Sequence, residues 1–195
     1  MTGLDLSLPP PTRPLLPRAG GRTNAGAWFA QRVIVGVGEL AVSNTAQAIL
    51  STYALGSCVG VAAYDSVLKV GGILHFMLPD SRLSPAKASV QPAMFADTGL
   101  RQLFAQLWGL GARPARLQLF VAGGARVIRG EDPFRIGARN ADATLGILVE
   151  YGYTVDSGEL GGSFNRTLHL ALDTGRLRFF RFLSGWMRAE GEAAS

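Results

Sequence analysis

The amino-acid sequence predicts an α/β fold of the α+β kind, in which strands outnumber helices. Short runs of β-branched and apolar residues recur along the chain between glycines, prolines and aspartates, which is typical of strands. Two longer stretches instead repeat their apolar residues at three- and four-residue steps, which indicates amphipathic helices. The chain has 195 residues, 48% of them hydrophobic and 17% charged. This balance is that of a folded globule with a sizeable core.

Residues 1–30 are expected to form a disordered or extended tail. This segment contains five prolines and several glycines, which cannot support a regular ladder of backbone hydrogen bonds. Ordered structure is therefore expected to begin near Arg32. We predict one folded domain over residues 31–185 and a C-terminal tail over residues 186–195.

Five strands are expected in the first half of the folded part. The apolar, β-rich segments are residues 33–37, 40–43, 48–53, 59–64 and 70–77. Residues 81–92 contain two prolines, serines and charged side chains, and this composition predicts an exposed loop.

The two helices are expected in the second half. Residues 93–110 carry apolar side chains at helical spacing and end at Gly109 and Gly111, and residues 138–150 end at Gly152. Residues 126–135 predict a charged loop. The remaining strands are expected at residues 117–121, 154–159, 167–172 and 176–182, with a turn at 173–175 between the last two.

The charge of the chain excludes some partners. The net charge is +5, but only Lys69 and Lys87 are lysines, and the arginines are spread along the chain. No basic cluster with interleaved aromatic residues occurs, so nucleic acid is not an expected partner. Steering toward an acidic protein partner and a mere bias toward arginine explain this charge equally well.

Other classes of protein are excluded by simple counts. No run of about eighteen apolar residues occurs, so membrane insertion is not expected, and residues 1–30 lack an apolar signal core. Cys58 is the only cysteine, which rules out an intrachain disulfide and suggests a reducing, cytoplasmic setting. With two histidines and one cysteine, a structural metal site is not expected either.

Cys58 is the most informative residue of the chain. It lies in the middle of residues 56–60, Gly-Ser-Cys-Val-Gly, at the end of a predicted strand. Flanking glycines allow a sharp turn that presents the thiol, and the backbone N–H groups of such a turn can form an oxyanion hole. The alternative is a buried structural cysteine, which is the more common role of a free thiol.

His75 is the expected partner of Cys58. It follows Cys58 by seventeen residues on the fifth predicted strand, and would meet the thiol if the strands on either side pair antiparallel. An imidazole beside a cysteine stabilises the thiolate that attacks an electrophile. His169 is the competing candidate, but no glycine or turn accompanies it. Either histidine could instead be a core residue.

Two familiar site types are not supported. The isolated pairs at Gly36 and Gly38 and at Gly109 and Gly111 do not open a helix within a βαβ unit, so a dinucleotide site is not indicated. Hydrolases and amidotransferases with a Gly-x-nucleophile-x-Gly turn place a helix directly after the nucleophile. Residues 59–65 are too short and too β-like for that helix.

The motifs of this sequence resemble the chemoreceptor glutamine deamidase family, CheD. The resemblance spans residues 33–180 and includes Thr52, which has no distinguishing feature of its own. The matching blocks are residues 55–61 (LGSCVGV), 71–79 (GGILHFMLP), 120–125 (FVAGGA), 136–140 (IGARN) and 160–162 (LGG). The sequence departs from the family pattern at Glu159, where aspartate is usual, and at Asn165, where glycine is common.

This resemblance implies a function and a fold. Cys58 would be the nucleophile, His75 the general base and acid, and Thr52 the group that orients the imidazole. The substrates would be glutamine side chains, and also glutamate methyl esters, in the cytoplasmic part of methyl-accepting chemoreceptors. A CheC-type phosphatase would be a partner, and no metal or nucleotide cofactor would be needed. The fold would resemble the catalytic domain of cytotoxic necrotizing factors, a sandwich of mixed β-sheets flanked by helices.

Two other functions remain open at this point. The chain could be a non-catalytic adaptor that binds receptors or the CheC phosphatase, with a vestigial thiol. It could also be a cysteine amidase that acts on small amides. A catalytic thiol is expected to react well below the ordinary cysteine pKa of about 8.5, whereas a buried structural thiol would be inert.

Overall fold

The fold consists of two mixed β-sheets packed face to face, with helices on the outer side of one sheet. The computed structural model describes residues 31–126, 132–183 and 186–187. Each sheet has five strands, and each contains one parallel pair among antiparallel ones. The predicted sandwich of mixed sheets with flanking helices is therefore confirmed. Its likeness to the catalytic domain of cytotoxic necrotizing factors stays a prediction.

The first sheet, called sheet A below, has the strand order β1-β3-β8-β9-β10. Its strands are β1 (Gln31–Ile34), β3 (Ala48–Leu55), β8 (Asn165–Ala171), β9 (Leu177–Leu183) and β10 (Trp186–Met187). The last of these pairs with β9 and lies within the segment predicted to be a C-terminal tail. The predicted N-terminal tail, residues 1–30, lies outside the described residues.

The second sheet, sheet B, has the strand order β2-β5-β4-β6-β7. Its strands are β2 (Glu39–Ser43), β4 (Val59–Asp65), β5 (Val70–Phe76), β6 (Leu117–Gly123) and β7 (Ser157–Leu160). Every residue of β4 and β5 is buried, because sheet A covers one face of these strands and helices cover the other. This double burial explains why both strands appear in the sequence as continuous apolar runs.

The helices are α1 (Pro85–Val90), α2 (Ala96–Gly109) and α3 (Ile136–Glu150). Both long helices match the two periodic stretches, although α2 begins later than its apolar pattern suggested. Residues 127–131 of the predicted charged loop lie outside the described residues, and its remainder forms a turn before α3.

The predicted loop at 81–92 is wrong in part, because it is largely helical. Short 3-10 turns at Ser81–Leu83 and Pro92–Met94 flank α1. Pro85 occupies the first turn of α1, where a missing N–H has no cost. None of the residues of α1 is buried, so the helix has no apolar stripe by which the sequence could reveal it.

The core has two parts, one on each face of sheet B. Between the two sheets lie buried residues from both, including Leu50, Leu168 and Ile73. Between sheet B and the helices lie the alternate residues of β4 and β5 together with the apolar face of α2. The side-chain alternation of β5 thus points Leu74 and Phe76 at the helices, and Ile73 and His75 at sheet A.

In the described part of the chain, no helix is long and apolar enough to cross a membrane.

Candidate active site

The turn that carries Cys58 is the point where the chain passes from one sheet to the other. It joins the end of β3, in sheet A, to the start of β4, in sheet B. Strand β5 runs antiparallel to β4, with Gly60 opposite His75. The turn, the end of β5 and the end of β3 therefore meet at one end of the sandwich. This arrangement fulfils the condition under which the thiol and an imidazole were expected to approach each other.

Strand β3 contains a β-bulge near its end, directly before the turn that carries Cys58. Thr52 lies opposite Leu168 and Leu55 lies opposite Arg166, so β3 has one residue more than its partner between these pairs. The extra length is absorbed at Ala54, which has a φ of 58°. In a regular strand, residues three apart point to opposite faces. Because of the bulge, both Thr52 and Leu55 are buried at the inner face.

The Thr52 side chain has two hydrogen bonds at this end of the sandwich, one of them with His75. The Thr52 hydroxyl donates to the Val35 carbonyl oxygen over 2.8 Å and lies 2.8 Å from Nδ1 of His75. A hydroxyl has a single hydrogen, and here the Val35 carbonyl accepts it. The Thr52 oxygen must therefore accept a hydrogen bond from Nδ1–H, which leaves Nε2 as the basic nitrogen of the neutral ring.

The free nitrogen of His75 belongs to the same end of the sheet as Cys58. Nε2 is buried and has no hydrogen-bond partner among the described residues. Cys58 precedes β4 by one residue, and its carbonyl oxygen continues the β4–β6 ladder by accepting from Gly124. The β4–β5 ladder ends at the pair of Val59 and Phe76. Extended by one residue, its register makes Cys58 a diagonal neighbour of His75, for which the usual Cα separation is about 7–8 Å.

Burial favours the neutral forms of both groups. His75 is 1% exposed. Burial lowers its pKa from 6.5 to about 4, although the Val35 carbonyl and the charge of Glu39 act in the opposite direction. Burial also raises the pKa of the Cys58 thiol, against the effect of its own backbone N–H. The site therefore favours a thiol and a neutral imidazole, whereas the sequence predicts a preformed thiolate.

The carbonyl groups of Gly56, Ser57 and Cys58 all have hydrogen-bond donors from other elements. The oxygen of Gly56 accepts from the N–H of Ala125, and that of Cys58 accepts from the N–H of Gly124, over 2.8 and 2.9 Å. The oxygen of Ser57 between them accepts from the side chain of Asn140 over 2.9 Å. The turn is thus fixed by the end of β6 and by the first turns of α3.

Glycines at the end of β6 make this close approach feasible. A Cβ atom at Gly123 would collide with the backbone of Cys58, and Gly123 has a φ of 113°, which disfavours other residues. Gly137 of α3 lies equally close to the backbone of Gly124 and Ala125. These contacts explain why glycine occurs in the sequence blocks 120–125 and 136–140, which had no role assigned from the sequence alone.

The structure corrects the expected role of the glycines beside Cys58. Among the described residues, positive φ values near the turn occur at Ala54 and not at Gly56 or Gly60. Gly60 is required for packing instead, because a Cβ there would come within 2.8 Å of the Leu55 side chain. The sharp change of direction thus arises at Ala54, which no pattern in the sequence distinguishes.

His169 is placed away from this site. Its Nδ1 lies 2.8 Å from the Ser51 hydroxyl, and its ring contacts Tyr53 and Phe180. Ser51 and Thr52 are consecutive on β3, so their side chains point to opposite faces of sheet A. His169 therefore lies on the outer face, and His75 is the histidine that shares the inner end of the sandwich with Cys58.

A buried cation lies near the turn. Arg166, opposite Leu55 in the ladder, is 3% exposed, and burial lowers the pKa of its guanidinium. It lies 3.8 Å from Glu159, which also binds Arg181. Glu159 is one of the two positions at which the sequence departs from the family pattern, and it keeps the negative charge that this pair of arginines requires. Within the described ranges, no group of three or more potential metal ligands occurs.

Comparison with known proteins relates most of the chain to one family. The family described as "CheD chemotactic sensory transduction" matches residues 77–181. A protein of Solibacter usitatus named probable chemoreceptor glutamine deamidase CheD is 40% identical over 162 residues, which cover 83% of this chain and 91% of that protein.

Two further relatives carry the same name. The protein of Syntrophotalea carbinolica is 42% identical over 145 residues, 73% of this chain and 90% of its own length. The protein of Pyrococcus abyssi is 37% identical over 159 residues, 80% of this chain and 96% of its own length. The matches extend over nearly the full length of each relative.

Proposed function

This chain belongs to the CheD family, and on that premise we propose that it is a protein-glutamine deamidase that converts glutamine side chains of chemoreceptors to glutamate in bacterial chemotaxis. Its named relatives are probable chemoreceptor glutamine deamidases. The reaction replaces the amide nitrogen of the side chain by oxygen from water and releases ammonia. We assign the nucleophile to Cys58, the general base and acid to His75, and the orientation of the imidazole to Thr52.

One observation carries this assignment. The Thr52 hydroxyl fixes the hydrogen of His75 on Nδ1, and the buried, basic Nε2 has no partner in the described part of the chain, at the end of the sheet where Cys58 lies. A buried nitrogen without a partner is costly, and such groups are rare outside sites that use them. If His75 were only a structural residue of the core, both of its ring nitrogens would be expected to have hydrogen-bond partners.

The first half of the reaction forms a thioester. Nε2 takes the proton of the thiol as the sulfur attacks the amide carbon, and the carbonyl oxygen gains the negative charge. The backbone N–H of Cys58 is the donor that we assign to this oxyanion. The imidazolium then gives its proton to the amide nitrogen, the C–N bond breaks, and ammonia leaves.

The second half returns the enzyme to its starting state. Nε2 takes a proton from a water molecule as the water oxygen attacks the thioester carbon. The C–S bond then breaks, the sulfur recovers its proton from the imidazolium, and glutamate is released. Because burial disfavours the imidazolium in the unliganded protein, it forms only together with the negative charge that stabilises it. The same steps would hydrolyse a glutamate methyl ester, with methanol as the leaving group.

The partners follow from the same premise. The substrate would be the cytoplasmic domain of a methyl-accepting chemoreceptor, and this location of the substrate implies a cytoplasmic enzyme. A CheC-type phosphatase would be a second partner. Competition between a purified CheC-type protein and a receptor fragment for this chain would test whether both use the face that contains Cys58.

The decisive experiment measures ammonia release from a purified cytoplasmic receptor fragment. The wild-type protein is expected to release ammonia, and mass spectrometry should locate glutamate in place of glutamine at particular receptor positions. The matched control is Cys58→Ala, which removes only the sulfur and should abolish both signals while the circular dichroism spectrum stays unchanged.

The outcomes separate the three functions. Receptor binding without ammonia release from wild-type protein would contradict the proposal and support a non-catalytic adaptor. Release from free glutamine at a rate equal to that from the receptor fragment would support an amidase for small substrates. Equal ammonia release by wild type and Cys58→Ala would remove Cys58 from the mechanism.

A further inference from the structure

We propose that Asn140 is a positioning residue, which holds the peptide unit between Ser57 and Cys58 so that the Cys58 N–H faces the carbonyl oxygen of the attacked amide as an oxyanion donor. This inference rests on the proposed function, because an oxyanion arises only if the thiol attacks a carbonyl group. It assigns Asn140 no contact with the substrate.

Asn140 connects the two segments that carry the thiol and the imidazole. Its side-chain nitrogen donates to the carbonyl oxygen of Ser57 over 2.9 Å and to that of Met77 over 2.8 Å. Ser57 directly precedes Cys58, and Met77 follows His75 by two residues. Asn140 is fully buried, so water does not compete for these bonds. Both hydrogens of its amide are thus used to fix the backbone at the site.

The bond to Ser57 determines where the N–H of Cys58 points. In a trans peptide unit, the carbonyl of one residue and the N–H of the next point in opposite directions. None of the described peptide bonds is cis. Because Asn140 holds the Ser57 oxygen, the Cys58 N–H must point away from Asn140. Asn140 belongs to α3, on the helix side of sheet B, whereas His75 points toward sheet A, so this N–H is directed to the side of the turn on which His75 lies.

Of the three carbonyl groups around Cys58, the one bound by Asn140 is held by a side chain. The carbonyl groups of Gly56 and Cys58 are held by backbone N–H groups of Ala125 and Gly124, which no substitution other than proline removes. The carbonyl of Ser57 between them relies on Asn140. Without this bond, the peptide unit could rotate and turn a carbonyl oxygen toward the developing negative charge, which would oppose the reaction.

The remaining atom of the amide supports a functional role. The side-chain oxygen of Asn140 is buried and has no hydrogen-bond partner among the described residues. An unpaired buried acceptor destabilises the fold, and such costs are typically retained where function requires the group. An apolar side chain would pack here without this cost if packing were the only requirement.

The test compares two reactions of the same thiol in Asn140→Ala. Deamidation passes through an oxyanion, whereas alkylation of Cys58 by iodoacetamide does not. We expect kcat for ammonia release from a receptor fragment to fall by about 10²–10³-fold, the usual effect of losing one oxyanion donor. We expect KM and the alkylation rate to stay within about threefold of wild type, because neither depends on the oxyanion.

The matched control is Thr144→Val, one turn further along α3. Thr144 is also fully buried, and its hydroxyl donates to the Asn140 backbone oxygen over 2.7 Å. The substitution removes a buried polar group from the same helix but leaves the Asn140 side chain in place. We expect both rates to remain within about threefold of wild type. If Asn140→Ala does not fold, Asn140→Leu, which fills the same space without a donor, takes its place.

Each contrary result has one meaning. An equal fall in deamidation and alkylation would show that Asn140 supports the pairing of Cys58 and His75 or the fold, and would overturn the inference. Full deamidase activity in the Asn140 variant would overturn it as well. A wild-type protein without ammonia release, but with normal alkylation, would instead refute the proposed function on which the inference rests.

Discussion

Gly123 lies so close to Cys58 that a Cβ atom at Gly123 would come within 2.1 Å of the Cys58 carbonyl oxygen. The next residue, Gly124, donates its N–H to that same oxygen over 2.9 Å. The end of β6 is therefore shaped to the backbone of the turn that carries the thiol. Residues with no chemistry of their own thus determine where the sulfur lies.

Gly123→Ala should displace this turn. The new methyl group would collide with the Cys58 oxygen, and a φ of 113° alone disfavours alanine by about 1–2 kcal/mol. We expect loss of ammonia release and a lower urea midpoint of unfolding. Gly146→Ala in α3 is the control, since a Cβ there meets no atom within 4 Å and should raise stability slightly. Unchanged activity in Gly123→Ala would contradict this account of the turn.

The two histidines offer a matched pair of substitutions. His75→Ala removes the assigned acid and base, so kcat for ammonia release should fall by about 10²–10⁴-fold or more. His169→Ala removes an imidazole that is also bonded to a hydroxyl of β3, but on the outer face of sheet A. We expect its activity to remain near wild type. A larger loss in His169→Ala than in His75→Ala would reverse the assignment.

Thr52→Val should separate orientation from proton transfer. Valine keeps the shape of threonine but leaves Nδ1 of His75 and the Val35 carbonyl without their shared partner. We expect a fall in kcat of at most about 10²-fold, smaller than that of His75→Ala. Thr52→Ser keeps the hydroxyl and should restore most of the rate. Ser51→Ala, which removes the hydroxyl bonded to His169, should be neutral.

The pH dependence of alkylation reports the charge state of Cys58. Burial raises the pKa of this thiol, so the iodoacetamide rate of the free protein should rise with pH and reach its midpoint above the ordinary cysteine value. This midpoint would be measured by quenching the alkylation at different times, at a series of pH values, and quantifying the product by mass spectrometry. A midpoint near pH 6, which His75→Ala abolishes, would instead demonstrate a thiolate–imidazolium pair in the resting protein.

Acid should destabilise the fold through His75. Its pKa is about 4 in the folded protein against 6.5 in the unfolded chain, so the unfolded chain binds the extra proton between these values. The contribution of His75 to the free energy of unfolding is thus fully present above pH 6.5. As the pH falls toward 4, about 3 kcal/mol of it is lost in total. Urea unfolding of wild type and His75→Gln at both pH values should reveal this difference.

The comparison of wild type with His75→Gln also removes the effect of His169 from the difference in stability. Burial lowers the pKa of His169 too, with smaller effects from Arg32 and Arg178, so His169 contributes to the acid dependence in the same direction. This contribution is present in both proteins. Parallel pH profiles for wild type and His75→Gln would show that His75 titrates normally in the fold.

The elements that pack an apolar face could be predicted from the sequence. Strands β4 and β5 and helices α2 and α3 bury such faces, and their periodicity is visible in the residues themselves. Helix α1 buries none of its residues and had no such signal. The pairing that brings His75 opposite Gly60 was expected only as a condition, because the choice of neighbour in a sheet depends on distant strands.

The candidate site was predictable in its reactive groups but not in its support. Cys58 and His75 are rare residue types in distinctive surroundings, whereas Thr52 was singled out only by resemblance to a family. Asn140 and the bulge at Ala54 have no local signature, because each depends on a contact with another part of the chain. Supporting groups of this kind become visible only when the backbone is folded.

Thr52 and His75 stand on different layers of the sandwich, and the hydrogen bond between them spans the gap. The distance between the two sheets therefore affects the reaction as well as the fold. A larger side chain in place of Ala62 should push the two sheets apart by a fraction of an ångström. This would break the hydrogen bond between Thr52 and His75 while the strands remained paired. Turnover should then fail in mild denaturant before the far-ultraviolet signal of the sheets declines.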